Sequence, residues 1–404
     1  MSREIKKIFE LLVIQIKVCG DEQMKYTRIK DINEYISKNI DPLKNPDEQF
    51  EVYSVPAFDT EHPEYLKGKE IGSSKQSVMK NDILLCKINP RINRVWVVTD
   101  ESDMRSIASS EWIVIRTSEY NPNFLAWYFQ SPVFKKLMVS EVTGIGGSLT
   151  RAQPKRVAEY PVPVIDSDTQ DKVSCVLQKL DHLIKLRKKE IGAFDELIKA
   201  RFVELFGDPA NNSNVNKVEL SAICEKITDG EHGSVNRVSN GHPFLNAKHI
   251  MKNGKIDWDT ITYIGDEDHQ RIYKRCNPEE GDILLTTTGT IGNVAIMPKY
   301  EEVSMDRGIT LLKIDRQKVT SEFVAELLRQ PSVQTEMGAN VHASAIGHLF
   351  MNKVKKLPAV VPSMDRQIEF TEFVKQVNKS KVVVQKALDQ TQLLFDKLMQ
   401  DYFG

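Results

Sequence analysis

Residues 281–297 read GDILLTTTGTIGNVAIM, and residues 81–98 read NDILLCKINPRINRVWVV. The shared DILL recurs at a distance of 200 positions, and the two stretches diverge immediately after it. Other landmarks repeat in the same order. Phe124-Leu125 matches Phe323-Val324 at an offset of 199, Pro161 matches Pro358 at 197, and Phe206-Gly207 matches Phe403-Gly404 at 197. Solenoid units run only ~20–50 residues, so a period this long is not a solenoid. The chain reads as two copies of one domain-sized module.

Each module has two parts. In the first, short apolar runs (RVWVVTD, EWIVIRT, NVAIM, ITLLKI) alternate with Gly, Pro and Asn turns, which predicts strands and hairpins. A helical piece, NFLAWYFQSPVFKKLM, interrupts them. This is a mixed α/β (α+β) pattern. The second part is one long helix, from about Asp168 to Phe206 and again from about Asp365 to Phe403.

Leu177, Ile184, Ile191, Ile198 and Leu205 recur every seven residues, beside Val173, Leu180, Arg187, Phe194 and Arg201. The second helix carries Val374, Lys381, Leu388, Phe395 and Tyr402 beside Phe370, Val377, Val384, Thr391 and Leu398. Sustained seven-residue spacing predicts a coiled coil. Its seam is Leu177, Leu180, Ile184, Ile191, Phe194 and Ile198 against Val374, Val377, Val384, Leu388, Phe395 and Leu398. The linker GDPANNSNVNK is too short to run back along a helix, so antiparallel pairing is the geometric choice. Helices of about 37 residues would form a rod of roughly 55 Å, with the modules related by a pseudo-two-fold axis. The expected boundaries are 1–24 for an N-terminal amphipathic extension, 25–167 and 209–364 for the modules, and 168–208 and 365–404 for the helices.

Composition excludes more than it assigns. The 404 residues are 41% hydrophobic and 27% charged, with a net charge of −1, so nothing global announces a nucleic-acid partner. Five scattered cysteines form no C-x-x-C pair and read as reduced thiols of a cytoplasmic protein. The histidines show no metal-ligand spacing. IKKIFELLVIQIKVCG is interrupted by Glu10 and Lys17, so it predicts an amphipathic helix, and no run reaches membrane-span length. A G-x-x-x-x-G-K-[ST] loop, an N-P-P-[YF] or D-P-P-[YF] tetrapeptide and a nuclease-type E-x-K strand are all missing. Catalysis by this chain alone is therefore not expected, nor is a catalytic residue or a metal site.

The sequence resembles the specificity subunit of type I restriction–modification enzymes. The resemblance is carried by EIGSSKQSVMKNDILLCKINPRINRVWVV, ITDGEHGSVNRVSNGHPFLNAKHI, GDILLTTTGTIGNVAIM and LPAVVPSMDRQIEFTEFVKQV, and runs from about Tyr26 to Gly404. It implies that each module is a target-recognition domain for one half of a split sequence in double-stranded DNA. It implies that the long helices set the spacing and dock two modification subunits. Those subunits would bind S-adenosylmethionine and methylate adenine, and restriction subunits using ATP and Mg would join them. No cofactor would sit in this chain. The extension MSREIKKIFELLVIQIKVCGDEQ lies outside the pattern. A different class, a coiled-coil scaffold whose globules bind proteins, is the alternative that the near-zero charge favours.

Candidate DNA contacts lie in turns. KINPRINR offers Lys87, Asn89, Arg91 and Arg94, since Arg and Asn can pair bidentately with base edges and Lys suits phosphate. Lys75 lies just upstream. TTTGTIGN offers Thr287, Thr288, Thr290 and Asn293, although a strand entering a glycine turn explains that stretch without DNA. VTGIGGSLTRAQPKR gives Ser148, Thr150, Arg151 and Lys155, and its partner NVHASAIGHLFMNKVKK gives His342, Ser344 and His348. Asn236, Arg237, Asn246, Lys248 and Lys252 complete the set.

Overall fold

The computed structural model describes residues 25–99, 102–140, 150–210, 217–341 and 347–404. The expected helix in 1–24 lies outside the described residues. The chain forms two compact units, Met1–Lys188 with Lys386–Gly404, and Lys189–Gln385. The long helices are Ser167–Phe206 and Met364–Phe403, 40 residues each. Each unit therefore holds a globule and one part of both helices, and the division falls inside the helices rather than at their ends. Among the described residues no helix is long and apolar enough to cross a membrane.

In the first unit, strands β1 (Ile83–Cys86), β2 (Val95–Val97) and β3 (Trp112–Ile115) form an antiparallel sheet in the order β2-β1-β3. In the second unit, β4 (Cys224–Asp229), β5 (Ile283–Thr286), β6 (Val294–Ile296) and β7 (Ile309–Ile314) form the order β4-β7-β5-β6. DILL supplies β1 and β5, a central strand both times. The edge strand β4 has no counterpart in the first unit's sheet. A second sheet in each unit contains one parallel pairing, Gln49–Tyr53 with Arg105–Ala108 and His242–Leu245 with Ser304–Met305.

Why DILL is apolar without alternation follows from its position. Ile83 and Leu85 face a core with Phe124, Leu177 and Phe403, while Leu84 faces another with Tyr53 and Trp112. Ile283 and Leu285 likewise face the helices, and Leu284 faces Leu245, Met305 and Leu311. A strand walled by two cores must be apolar on both faces. Burying each such side chain contributes ~1.5–3 kcal/mol.

The aspartate of DILL is buried as well. Asp82 accepts from the Met79 N–H at 2.9 Å and pairs with the Arg116 guanidinium through two 2.7 Å bonds. Asp282 accepts from the Glu279 N–H and from Lys313 Nζ, both at 2.9 Å. The preceding residues, Asn81 and Gly281, have φ of 71° and 87°. Glycine and asparagine are the residues that enter this left-handed region at low cost, which accounts for NDILL against GDILL.

The repeated landmarks are packing devices. In the first unit Phe124 meets Phe403, ring centroids 5.4 Å apart, and in the second Phe323 meets Phe206 at 5.0 Å. In each unit the globule thus packs on the end of a long helix. The expected single helical piece is two helices, Pro122–Gln130 and Pro132–Ser140, because Pro132 cannot continue the first. Gln170 accepts from the Asn121 N–H at 2.8 Å, and Gln367 from the Thr320 N–H at 2.9 Å, so one buried glutamine anchors the neighbouring helix start in both copies.

The helices run antiparallel within each unit. In the first, Leu177, Leu180 and Ile184 are buried alongside Leu388 and Leu398. In the second, Ile198 is buried alongside Val374 and Val377. Ile191, Phe194, Val384 and Phe395 are only half-buried. Phe395 turns onto Trp127 of the globule, centroids 5.6 Å apart. The polar interruptions of the heptads find partners across the pair. Arg187 donates to the Ala387 carbonyl at 2.6 Å and to the Thr391 hydroxyl. Arg201 pairs with Glu369 at 2.9 Å, and Lys381 pairs with Asp195.

Candidate nucleic-acid interface

The turns that follow DILL differ in sequence and share a backbone. In the first unit the Lys87 N–H donates to the Glu111 carbonyl at 3.1 Å, and the Lys87 carbonyl accepts from the Ala152 N–H at 2.8 Å. In the second unit the Thr287 N–H donates to the Gly308 carbonyl at 2.8 Å, and the Thr287 carbonyl accepts from the Leu349 N–H at 2.9 Å. Asn89 and Gly289 both hold positive φ, 47° and 75°. Their N–H groups reach the Thr150 and Gly347 carbonyls at 2.9 and 3.3 Å. Two loops distant in sequence are thereby joined at one end of the sheet, in the same way in both copies.

The side chains on these junctions differ. The first carries Lys87, half-buried, with Arg91 and Arg151 exposed; Arg151 pairs with Glu111 at 3.1 Å. Arg94 lies mostly buried, 3.8 Å from Asp59. The second carries Thr290, exposed, and His348, whose Nδ1 lies 2.7 Å from the Thr288 hydroxyl. Burial, and then the positive charge of Arg307, hold the His348 imidazole below its ordinary pKa.

Several expected contacts are turned inward. Thr287 is 1% exposed, its hydroxyl between the Gly308 carbonyl and Thr310, so it belongs to the core and cannot meet DNA. Thr150 is also buried. A hydroxyl beside a strand is taken up by packing when its alternation points inward, which the turn composition concealed. Asn293 donates to the Ile250 carbonyl at 2.7 Å, and Asn246 holds the Asp306 carboxylate, so both amides brace loops. Ser148, His342 and Ser344 lie outside the described residues.

The remaining candidates sit elsewhere in their units. Lys75 lies on the five-stranded sheet, with Nζ donating to Ser73. Arg237 lies on the second sheet of its unit, over the Phe244 ring at 4.3 Å and donating to Thr262. Asn236 precedes it, its N–H on Asp268, and Lys248 is exposed on a short turn. Lys252 lines a cleft of about 940 Å³ with Gly254, Arg329 and Lys381. Lys155 is exposed on the short helix Pro154–Val157. Two residues at the junctions escaped the sequence reading, Glu111 and Arg307. For Arg307 the signal was available: D-R-G is a turn tripeptide directly before the strand that pairs with DILL. Among the described residues no cluster of His, Cys, Asp and Glu could hold a metal ion.

Residues 212–390 match the family model of the type I restriction modification DNA specificity domain. A search of curated proteins found no match. Among solved structures the chain is similar to one from work on complex assembly and conformational transition of the type I R-M system. That likeness has 16% identity and a TM-score of 0.56, and covers 95% of this chain and 98% of the other. It is also similar to the type I restriction–modification S subunit from M. genitalium, with 14% identity, a TM-score of 0.51, and 95% and 97% covered. These likenesses extend the specificity-subunit fold over nearly the whole length and bear out the resemblance read from the sequence. The matched residues contain β4 to β7 and the junction at Thr287–His348.

Proposed function

We propose that the chain is a non-catalytic DNA-recognition and scaffold subunit that reads a two-part target, one part per unit. The observation that carries this reading is the duplicated junction after DILL, where one backbone presents two different sets of side chains. A scaffold conserves its packing, whereas a reader of two unlike half-sites must vary what it presents on constant geometry. In this reading the exposed basic residues Arg91, Arg151, Lys155, Lys248 and Lys252 contact phosphates, and polar groups on the junctions meet base edges. Two modification subunits dock along the long helices and supply S-adenosylmethionine and the adenine chemistry. Those subunits extrude the adenine to reach it. Restriction subunits with ATP and Mg complete the assembly in the cytoplasm.

The test is methylation mapping. The chain alone with S-adenosylmethionine should transfer no methyl group. With a modification subunit it should direct methylation to one split sequence. Binding of the complex to random duplex should fall steeply with salt, because phosphate contacts release counterions. A flat salt response with and without the modification subunit would instead identify a protein-binding scaffold.

A further inference from the structure

We propose that Arg307 is the specificity-determining residue of the second unit, reading guanine in one part of the target. This rests on the proposed reading of a two-part DNA site. Arg307 lies in the turn before β7, and that turn is fixed on every side. Its own N–H donates to the Glu231 carbonyl at 2.9 Å, and the following Gly308 carbonyl accepts from Thr287 at 2.8 Å. The Asp306 carboxylate accepts from the Gly308 N–H at 2.9 Å and from the Asn246 side chain. Gly230 packs so closely that a Cβ there would stand 2.1 Å from the Met305 carbonyl oxygen and 2.4 Å from that of Asp306.

The backbone is held, yet the side chain is exposed and makes no hydrogen bond or ion pair among the described residues. Three arginines of the same globule are tied down instead. Arg271 pairs with Asp268 and Glu231, Arg275 with Asp229, and Arg329 with Glu326. The carboxylates that adjoin Arg307 in sequence and through its backbone hydrogen bond are already engaged, Asp306 as above and Glu231 by the Gly233 N–H and Arg271. A free guanidinium on a rigid turn matches bidentate donation to guanine O6 and N7, which demands fixed geometry. A phosphate can take the same fork, so only a contact that changes sequence preference separates the two.

The first unit supplies the comparison. Glu111 provides the carbonyl that Gly308 provides in the second, so Ser110 stands where Arg307 stands. The first junction therefore has no cation at this position and draws its positive charge from Lys87, Arg91 and Arg151. The same fold position is neutral in one reader and cationic in the other, as expected of a residue that sets a difference in target.

The experiment uses the full chain with its modification subunit and compares wild type, Arg307→Lys and Arg307→Ala by mapping methylated adenines. The wild type should methylate a split site with at least one guanine in one part, and a site without guanine in either part would overturn the proposal. Arg307→Ala should relax that guanine by on the order of 10–100-fold and leave the other part unchanged. Arg307→Lys should relax it too while keeping the affinity and salt slope for random duplex, because the charge remains and the fork is lost. Both variants should melt with the wild type, since the side chain has no hydrogen-bond or ion-pair partner among the described residues. Unchanged discrimination in both variants, with a salt slope lowered by about one in the alanine variant, would make Arg307 a phosphate contact and overturn the proposal. Altered preference in both parts would overturn it as well. Wild-type methylation without sequence preference would defeat the two-part reading itself, and this inference with it.

Discussion

At the scale of single residues, the duplicated aspartates show how one polar group is tolerated inside a core. Asp82 is fully buried, and a backbone N–H and a two-toothed guanidinium take up its oxygens. Asp82→Ala leaves Arg116 and the Met79 N–H without their acceptor. It should cost on the order of 3 kcal/mol, read as a lower urea midpoint at unchanged slope. His249 offers a second test. It is fully buried, and its Nδ1 accepts the Asn246 N–H at 2.9 Å, the reciprocal bond of a capping box. Burial, with Lys248 adding to it, lowers its pKa. A histidine lowered in the fold is protonated first in the unfolded chain. Stability is therefore complete above the unfolded value of ~6.5 and falls as pH drops below it. Thermal melts of the wild type should decline from pH 7.5 to 5.5, and His249→Gln, which keeps an acceptor for Asn246, should flatten the decline.

At the scale of elements, the long helices carry their register in polar breaks as much as in leucines. Arg187 reaches the Ala387 carbonyl and the Thr391 hydroxyl inside a mostly apolar seam. The Thr391 hydroxyl also donates to the Ala387 carbonyl at 2.8 Å, so the three groups form one small network that loses its bond across the pair when Arg187 is removed. Arg187→Ala should lose ~1–3 kcal/mol in chemical denaturation. The pair Arg187→Leu with Thr391→Val should recover most of that loss, since an apolar replacement of both partners removes the unmet hydrogen bond. A coupling energy near zero in the double-mutant cycle would show that the bond does not matter. The heptads made the helices legible, and they also named Arg187 and Thr391 as misfits. What they could not give was that these two misfits answer each other, because that requires the antiparallel register.

At the scale of the whole molecule, the duplication makes a functional prediction. If the units read separate DNA parts, the length of helix between them governs the gap and not the letters. Deleting one matched heptad from each long helix should change the spacer of the methylated site and leave both parts as they were, by methylation mapping. Changed parts with an unchanged spacer would contradict the ruler role. The architecture was readable at this scale because 200-residue offsets between landmarks survive divergence. The interface was less readable. Thr287 and Thr150 have the composition of contact residues and the burial of core residues. Arg307 has a turn signal that marks a bend and says nothing of which way its side chain points.

The sequence by itself determined the duplication, the central DILL strands, the two long helices and the family resemblance. Each of these is written in spacing or in a run of apolar residues, and such local patterns persist without knowledge of neighbours. Only the tertiary structure decided which loops meet. The turn after DILL finds residues 150–152 in one unit and 347–349 in the other through backbone hydrogen bonds, and those bonds leave no trace in side-chain type. The same holds for exposure in a turn. Whether a threonine or an arginine faces solvent there depends on which strand end lies beside it, and that is settled by packing.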